Sequence, residues 1–408
     1  MKCRHCHADV DLPFIDLATA PPSNSYLSAE QLAGPEKWYP LRVLVCTSCW
    51  LVQTEDYAHF ADLFASDYAY FSSFSTSWLK HADSYVDEMA RRLDLGPNSL
   101  VVEVASNDGY LLQYVQDRAI PCLGIEPTAS TAQAARVKGI EVIEEFFGVA
   151  LADRLVEAGR AADLTAANNV LAHVPDINDF VAGFARLLKP HGVATFEFPH
   201  LMRLVAECQF DTVYHEHFSY LSLSAVGTIF EANGLTVFDV AEIPTHGGSL
   251  RVFAQRRDSG RRDTTAAVAA LLARETRDGV TSVDYYRGLQ TRAERIKDDL
   301  LEFLIRAKRN GKSIGAYGAA AKGNTLLNYA GVRSNLLPWV VDRNPAKEGR
   351  FLPGSRIPVV TESRLREERP DFVLILPWNL SDELMVQLQY VREWGGHFVR
   401  AVPALIVQ

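Results

Sequence analysis

From Ser99 to about Arg256, short apolar runs alternate with stretches whose apolar positions recur at helical spacing. The runs are Leu100–Ala105, Cys122–Glu126, Glu141–Ile143, Leu164–Asn168, Val193–Phe198, Leu235–Val240 and Leu250–Ala254. Such runs read as buried strands, and strands alternating with helices predict a mostly parallel sheet covered on both faces. No convincing helix separates the last two runs, so an antiparallel hairpin is expected at the sheet edge. A second alternating stretch holds Ser313–Tyr317, Trp339–Asp342, Phe372–Leu376 and His397–Val402 and predicts a smaller doubly wound domain. Residues 264–310 carry a helical period and read as a connector. Residues 56–95 are aromatic and helical, and residues 1–55 include a loop-like stretch rich in Ala, Pro and Ser. The expected units are 1–60, 61–260 and 261–408, with no internal repeat.

A length of 408 residues suits two or three domains, and 48% hydrophobic residues suffice for sizeable cores. The net charge is −9, and the Arg-rich stretch at 256–263 is diluted by two acids. A protein that tracks a phosphate backbone carries a basic stripe, so nucleic acid is a poor partner for this chain. A small phosphorylated ligand held by a few placed cations remains compatible. The polar start lacks an apolar signal region, and no apolar run reaches the ~20 residues needed to span a bilayer. Cytoplasm is the expected compartment, with no membrane partner, and nothing demands an oligomer.

Six cysteines fall as two tight pairs plus Cys122 and Cys208. Cys3-x-x-Cys6 and Cys46-x-x-Cys49 each place two sulfurs on one knuckle, and zinc accepts four thiolates tetrahedrally. Such a closed site leaves no open coordination position, so its expected role is structural.

The turn Glu103-Val104-Ala105-Ser106-Asn107-Asp108-Gly109 links the first strand of the central unit to its first helix. Small residues ending in Gly let the backbone approach a ligand closely. Glu126, ending the second strand, suits ribose hydroxyls. Glu145 and Phe146 follow the third strand and suit an adenine amino group and ring face; Asn168 and Asn169 end the fourth. In this order, at consecutive strand tips, Glu103, Ser106, Asn107, Gly109, Glu126, Glu145, Phe146, Asn168 and Asn169 favour an adenosyl ligand. NAD is disfavoured because G-x-G-x-x-G lacks its first two glycines here.

Tyr214-His215-Glu216-His217 follows the fifth strand, with His200 and Asp211 nearby. In an extended stretch Tyr214 and Glu216 share one side and the two histidines the other. An imidazole can remove a carbon-bound proton, with a neighbouring Glu fixing its orientation. H-E-H lacks the spacing of H-E-x-x-H, which argues against a catalytic zinc. His173, Tyr68 and Tyr70 are further candidates.

Two Cys-x-x-Cys clips, D-Y-A-Y-F-S-S-F-S, E-V-A-S-N-D-G, Y-H-E-H-F-S-Y, H-G-G-S-L-R, G-A-Y-G-A-A-A-K-G-N-T and V-D-R-N-P-A-K-E-G-R-F-L-P-G occur in this order. That series resembles the C-methyltransferases acting on nucleotide-linked 4-keto-deoxysugars in antibiotic and surface-glycan pathways, over nearly the whole chain. Ala105 departs from the first glycine of the class I E/D-x-G-x-G turn. The resemblance implies an α/β fold: a class I methyltransferase doubly wound sheet, a small N-terminal zinc-binding domain and a C-terminal Rossmann-like domain. It also implies S-adenosylmethionine as cofactor and a nucleotide-sugar substrate; a dTDP-linked sugar methylated at C3 is the expectation, with C5 the other carbon that flanks a 4-ketone. His217 would be the general base, supported by Tyr214 and Glu216; Tyr68 and His173 would position the sugar or stabilise the enolate oxygen. Substrate contacts would come from Tyr70, Ser72, His246, Arg251, Tyr317, Lys322, Asn324, Arg343 and Lys347. The Gly315–Asn324 turn, opening a helix with Lys322 aboard, would grip the diphosphate. The alternatives are an NAD-dependent oxidoreductase using the back domain and a zinc-ribbon RNA-modifying methyltransferase.

Overall fold

The computed structural model describes residues 1–57 and 71–408, so Tyr68 and Tyr70 lie outside the described residues. Three sheets carry the fold. The first is antiparallel: β1 (Leu12–Ala20), β2 (Tyr39–Val45) and β3 (Val52–Thr54), closed by β9 (Ser219–Tyr220) from far along the chain. The segment between the cysteine pairs is therefore not simply loop-like, as its composition suggested. Register shifts between Pro13 and Ile15 and between Asp16 and Thr19, with Ala18 at φ 61°, break the two-residue alternation of β1.

The second sheet contains β4 (Val101–Val104), β5 (Cys122–Ile125), β6 (Val142–Ile143), β7 (Ala162–Asn168), β8 (Leu188–Pro199), β10 (Leu235–Ile243) and β11 (Ser249–Arg256). Its order is β10-β11-β8-β7-β4-β5-β6, parallel from β6 to β8 and antiparallel at the β10–β11 hairpin. The edge hairpin expected from the missing crossover helix is present. The helices are α1 (Thr76–Leu93), α2 (Leu112–Asp117), α3 (Ala129–Val137), α4 (Val149–Glu157), α5 (Ile177–Leu187), α6 (Leu201–Ala206) and α7 (Leu223–Ala232). Strand order reverses between β4 and β7, where doubly wound sheets open a crevice at the carboxyl ends of their strands.

The connector is helical, with α8 (Ala266–Asp278) and α9 (Leu289–Arg309). The back sheet holds β12 (Ile314–Tyr317), β13 (Val340–Val341), β14 (Val359–Val360), β15 (Phe372–Ile375), β16 (His397–Arg400) and β17 (Ile406–Val407). Its order is β14-β13-β12-β15-β16-β17, so its crevice lies between β12 and β15. Helix α10 (Ala321–Tyr329) leaves β12 on one side of it, and Trp378 follows β15 on the other.

One continuous core joins Phe14, Leu17 and Val43 of the front sheet to Leu300 and Leu304 of α9 and to Ala316, Val340 and Leu374 of the back sheet. Front and back units are also pinned directly. Leu27 bridges to Phe351, and Glu36 accepts from the Gly354 N–H and pairs with Arg356 at 2.8 Å. No helix among the described residues is long and apolar enough to cross a membrane.

Candidate active site and metal centre

The four front cysteines converge. Their sulfurs lie within 4.8 Å of one another, with Cys3–Cys49 at 3.6 Å and Cys6–Cys46 at 3.5 Å. Each knuckle is closed alike: His7 N–H donates to the Cys3 carbonyl and Trp50 N–H to the Cys46 carbonyl, with both closing residues near φ 60°. Sulfur pairs at this separation fit the edges of a tetrahedron around one zinc with ~2.3 Å bonds. The thiolates would hold the ion as a closed structural clip beneath β2 and β3.

The central crevice is built from strand tips. Ala105 and Asn107 adopt φ 58° and 48°, so the chain turns sharply after β4. The two oxygens of Glu126 each take a backbone N–H, from Asn107 at 2.9 Å and Thr128 at 2.8 Å. A Cβ on Gly124 would meet Ser106 Oγ at 2.5 Å, and one on Gly109 would meet Ile140 at 2.4 Å, so both glycines are required by close packing. Ser106 Oγ, Asn168 Oδ1 and Asn169 Oδ1 are buried without hydrogen-bond partners among the described residues. Orphaned acceptors at adjacent strand tips are a costly arrangement that a polar ligand would satisfy, and an adenosyl cofactor fits that set. Burial pushes Glu103 far above the usual carboxylate range, with Tyr110 hydrogen bonding opposing it. Asp108 and Asn107 do not cap α2; Asp108 faces Lys138, and the Asn107 side chain accepts from Ser72 N–H. Ser72 thus abuts the cofactor turn. Glu145 pairs with Arg154 on the surface and is not turned inward, whereas Phe146 is 61% exposed beside it.

The Tyr214–His217 stretch is not extended. His217 N–H donates to the Tyr214 carbonyl at 2.9 Å, closing a turn that brings the two ring centroids to 3.9 Å apart, tilted by 31°. Tyr214 and His217 therefore share one side, contrary to the alternation assumed for an extended strand. His217 Nδ1 lies 2.8 Å from the Thr212 carbonyl, which only accepts, so Nδ1 carries the proton. Nε2 then presents its lone pair to the Tyr214 hydroxyl at 2.8 Å. Burial, then the neighbouring His173, holds the ring well below the ordinary imidazole value, so it is neutral near pH 7. His173 packs edge-on at 4.6 Å. Glu216 does not orient His217; its Oε1 accepts from Asn24 instead. His215 bonds the Pro40 carbonyl, and His200 pairs with buried Glu275, so neither joins this group.

Across the cleft, Lys322 at the start of α10 donates to Asn379 Oδ1 at 3.1 Å and lies 4.6 Å over the Trp378 ring. Burial pushes it down to about 8, with Asp211 opposing. Trp378 Nε1 donates to Asp211 Oδ2 at 2.7 Å, and burial raises that carboxyl to about 6. His246 sits at φ 55° with its ring 5.0 Å from that of Trp78, and burial lowers it to about 4. Other candidates are committed elsewhere. Arg251 pairs with Glu197 and Glu88 inside the central unit. Arg343 pairs with Glu362, which also accepts from Tyr317. Lys347 donates to the Ala319 carbonyl and faces Asp342, and Asn324 donates to the Ser23 carbonyl. Asn24, Trp378, Asn379 and Trp78 were not among the sequence candidates. An indole and an amide directly after the β15 run, at the carboxyl end of a strand, were the available signal.

Three family models match along the chain, the last beginning within the β10–β11 hairpin of the central sheet. Residues 3–64 match a family model described as "Putative zinc binding domain", residues 78–240 one described as "Methyltransferase domain", and residues 244–403 one described as "C-methyltransferase C-terminal domain". The chain is 33% identical over 402 residues to C-methyltransferase NovU of Streptomyces niveus, covering 98% of this chain and 95% of that one. Among solved structures, a magnesium protoporphyrin IX methyltransferase from Synechocystis is 16% identical over 44% of this chain and 79% of its own, at TM-score 0.34. An S-adenosylmethionine-dependent methyltransferase from Clostridium acetobutylicum is 10% identical over 44% and 92%, at TM-score 0.36.

Proposed function

Because the chain belongs to the C-methyltransferase family with a zinc-binding front domain, it is an S-adenosylmethionine-dependent C-methyltransferase, and we propose that it methylates C3 of a dTDP-linked 4-keto-deoxysugar. The observation that carries this reading is the neutral His217, fixed at both ring nitrogens, facing Lys322 across the cleft between the central and back sheets. The cofactor supplies an electrophilic methyl on a sulfonium.

The work left to the chain is to make a carbon nucleophile. A ketone at C4 acidifies the C3–H bond, and the His217 lone pair at Nε2 takes that proton. The Thr212 carbonyl stabilises the imidazolium so formed, because Nδ1–H already points at it. Charge moves to the C4 oxygen, and the hydrogen-bond donors we assign to it are His173, Tyr214 once substrate has taken its place at His217 Nε2, and, by the resemblance alone, Tyr68. Lys322 holds the diphosphate, and His246 lines the same cleft. The three sheets serve as a front zinc unit, a central cofactor unit and a back substrate unit.

Purified protein incubated with S-adenosylmethionine and a dTDP-4-keto-6-deoxysugar in deuterated water tests the reading by mass and proton spectra. Gain of one methyl, with deuterium entering beside the ketone, is expected. His217→Asn should abolish both. Near-native turnover by that variant would overturn the base assignment, and neither methyl nor deuterium incorporation with several nucleotide keto-sugars would overturn the substrate class.

A further inference from the structure

Glu216 is fully buried, yet only one of its oxygens is used. Oε1 accepts from Asn24 twice, from its backbone N–H at 3.3 Å and from Nδ2 at 3.2 Å, while Oε2 has no partner among the described residues. Asn24 belongs to the segment between the two cysteine pairs. The preceding residue, Ser23, is buried, and its carbonyl accepts from Asn324 Nδ2 at 2.6 Å. Two residues on, the Tyr26 hydroxyl donates to the Ala319 carbonyl at the mouth of the back crevice. A short piece of the front unit is thus threaded between the base-bearing turn and helix α10.

We propose that Asn24 is a positioning residue: by holding Oε1 from two sides it fixes the rotamer and the ionisation of Glu216, and so leaves Oε2 as the oxygen offered to the reacting site. This rests on Glu216 belonging to the reacting site, as the family resemblance implies, through Oε2 and not by orienting His217. A buried carboxyl with two donors on one oxygen has its charged form stabilised against desolvation. The balance in Glu216 is close: burial raises it to about 7, and its own backbone N–H, the Asn24 side chain and the backbone N–H groups of Asn24 and Ser23 oppose that rise. The other titratable groups around it are the phenols of Tyr26 and Tyr220, His173, which hydrogen-bonds the Glu216 backbone, and Lys347 beside Tyr26. None of them donates to its carboxylate. Among the described residues Asn24 supplies the side-chain donor to this carboxylate, so it is the bond a substitution can remove, through a residue of the zinc-bearing unit.

The test is the protonated-carboxyl infrared band of the zinc-loaded full chain, followed against pH and assigned by its loss in Glu216→Gln. Asn24→Ala removes the side-chain donor but keeps the backbone one, and its midpoint should rise by about one pH unit. Asn24→Ser, which retains a donor, should fall between the two. In parallel, kcat with the dTDP-4-keto-6-deoxysugar should drop about tenfold or more in Asn24→Ala with KM little changed. Titration of Asn24→Ala superimposing on wild type would overturn the proposal, as would a loss of kcat accompanied only by a lower unfolding midpoint. If Glu216→Gln itself kept native turnover, the parent reading would fall, whatever the infrared midpoint did.

Discussion

Replacing Lys322 with Met should stabilise the protein while weakening its grip on a diphosphate. Burial lowers this lysine from an ordinary 10.5 to about 8, and at ~1.4 kcal/mol per unit the folded state carries a penalty of roughly 3 kcal/mol for keeping it charged. Loss of the cation also leaves buried Asp211 without its counter-charge, and a rise of about one unit on that carboxyl takes back about 1–2 kcal/mol of the gain. Methionine fills a similar volume without charge, so a net gain of about 1–2 kcal/mol is expected at pH 7. The sign of the pH dependence follows from the depressed value. Below about 8 both folded and unfolded lysine are protonated and the penalty is complete; between about 8 and 10.5 the folded lysine sheds its proton first and the penalty disappears. Thermal unfolding of both proteins from pH 6.5 to 10 should show Lys322→Met ahead by a few degrees at the acid end, the gap closing as pH rises. A variant less stable than wild type at pH 7, or a gap independent of pH, would refute the reasoning. Binding of a dTDP-sugar at pH 7 should weaken at least tenfold in the same variant.

Three further outcomes are expected. Metal analysis should find one zinc per chain, and its removal, or Cys46→Ser, should melt the front sheet; unchanged circular dichroism and urea midpoint after complete removal would count against a structural clip. The acid limb of kcat/KM should lie below pH 6.5, because the working form of His217 is the free base and burial moves its protonation to more acid pH; a limb at 7 or above would point to another base. Gly247→Ala should cost about 2–4 kcal/mol, combining a left-handed φ of 91° with a Cβ that would meet Trp378 at 2.5 Å. Gly159→Ala, at φ 75° with no heavy atom within 4 Å of its Cβ, should cost only about 1–2 kcal/mol, so equal urea midpoints for the two would be the adverse result.

Most of the parallel strands were legible because each is a short, largely buried apolar run, from Val101–Val104 through Phe372–Ile375, whereas the two-residue β14 at the sheet edge was missed. The cysteine clip was legible because its chemistry is local to two knuckles. The strand β1 was not, since Pro13 and the bulge at Ala18 break its period. The Tyr214–His217 turn was misjudged for a related reason: its shape is set by long-range contacts, the Thr325 hydroxyl bonding the Val213 carbonyl and Thr54 bonding the His217 carbonyl. Residues flanking that turn can suggest a base, but they cannot reveal that Glu216 looks away from it toward Asn24, 192 positions earlier. Arg251 and Arg343 were expected to contact substrate because an isolated arginine in the sequence reads as available. Their partner acids, Glu197 on β8 and Glu362 in the turn after β14, come from other parts of the chain and appear only when the sheets assemble.

The pairing of β3 with β9 has a bearing on how the chain is made. Thr54 and His217, which share a hydrogen bond there, are 163 residues apart. At typical synthesis speeds of about 5–20 residues per second, the zinc unit leaves the ribosome roughly 10–30 s before its last strand exists. During that interval β3 presents an unpaired edge, which is a ready template for association with other chains. Early capture of zinc by Cys3, Cys6, Cys46 and Cys49 would hold the nascent knuckles together through that wait, so metal supply during translation should govern how much of this protein is recovered in soluble form.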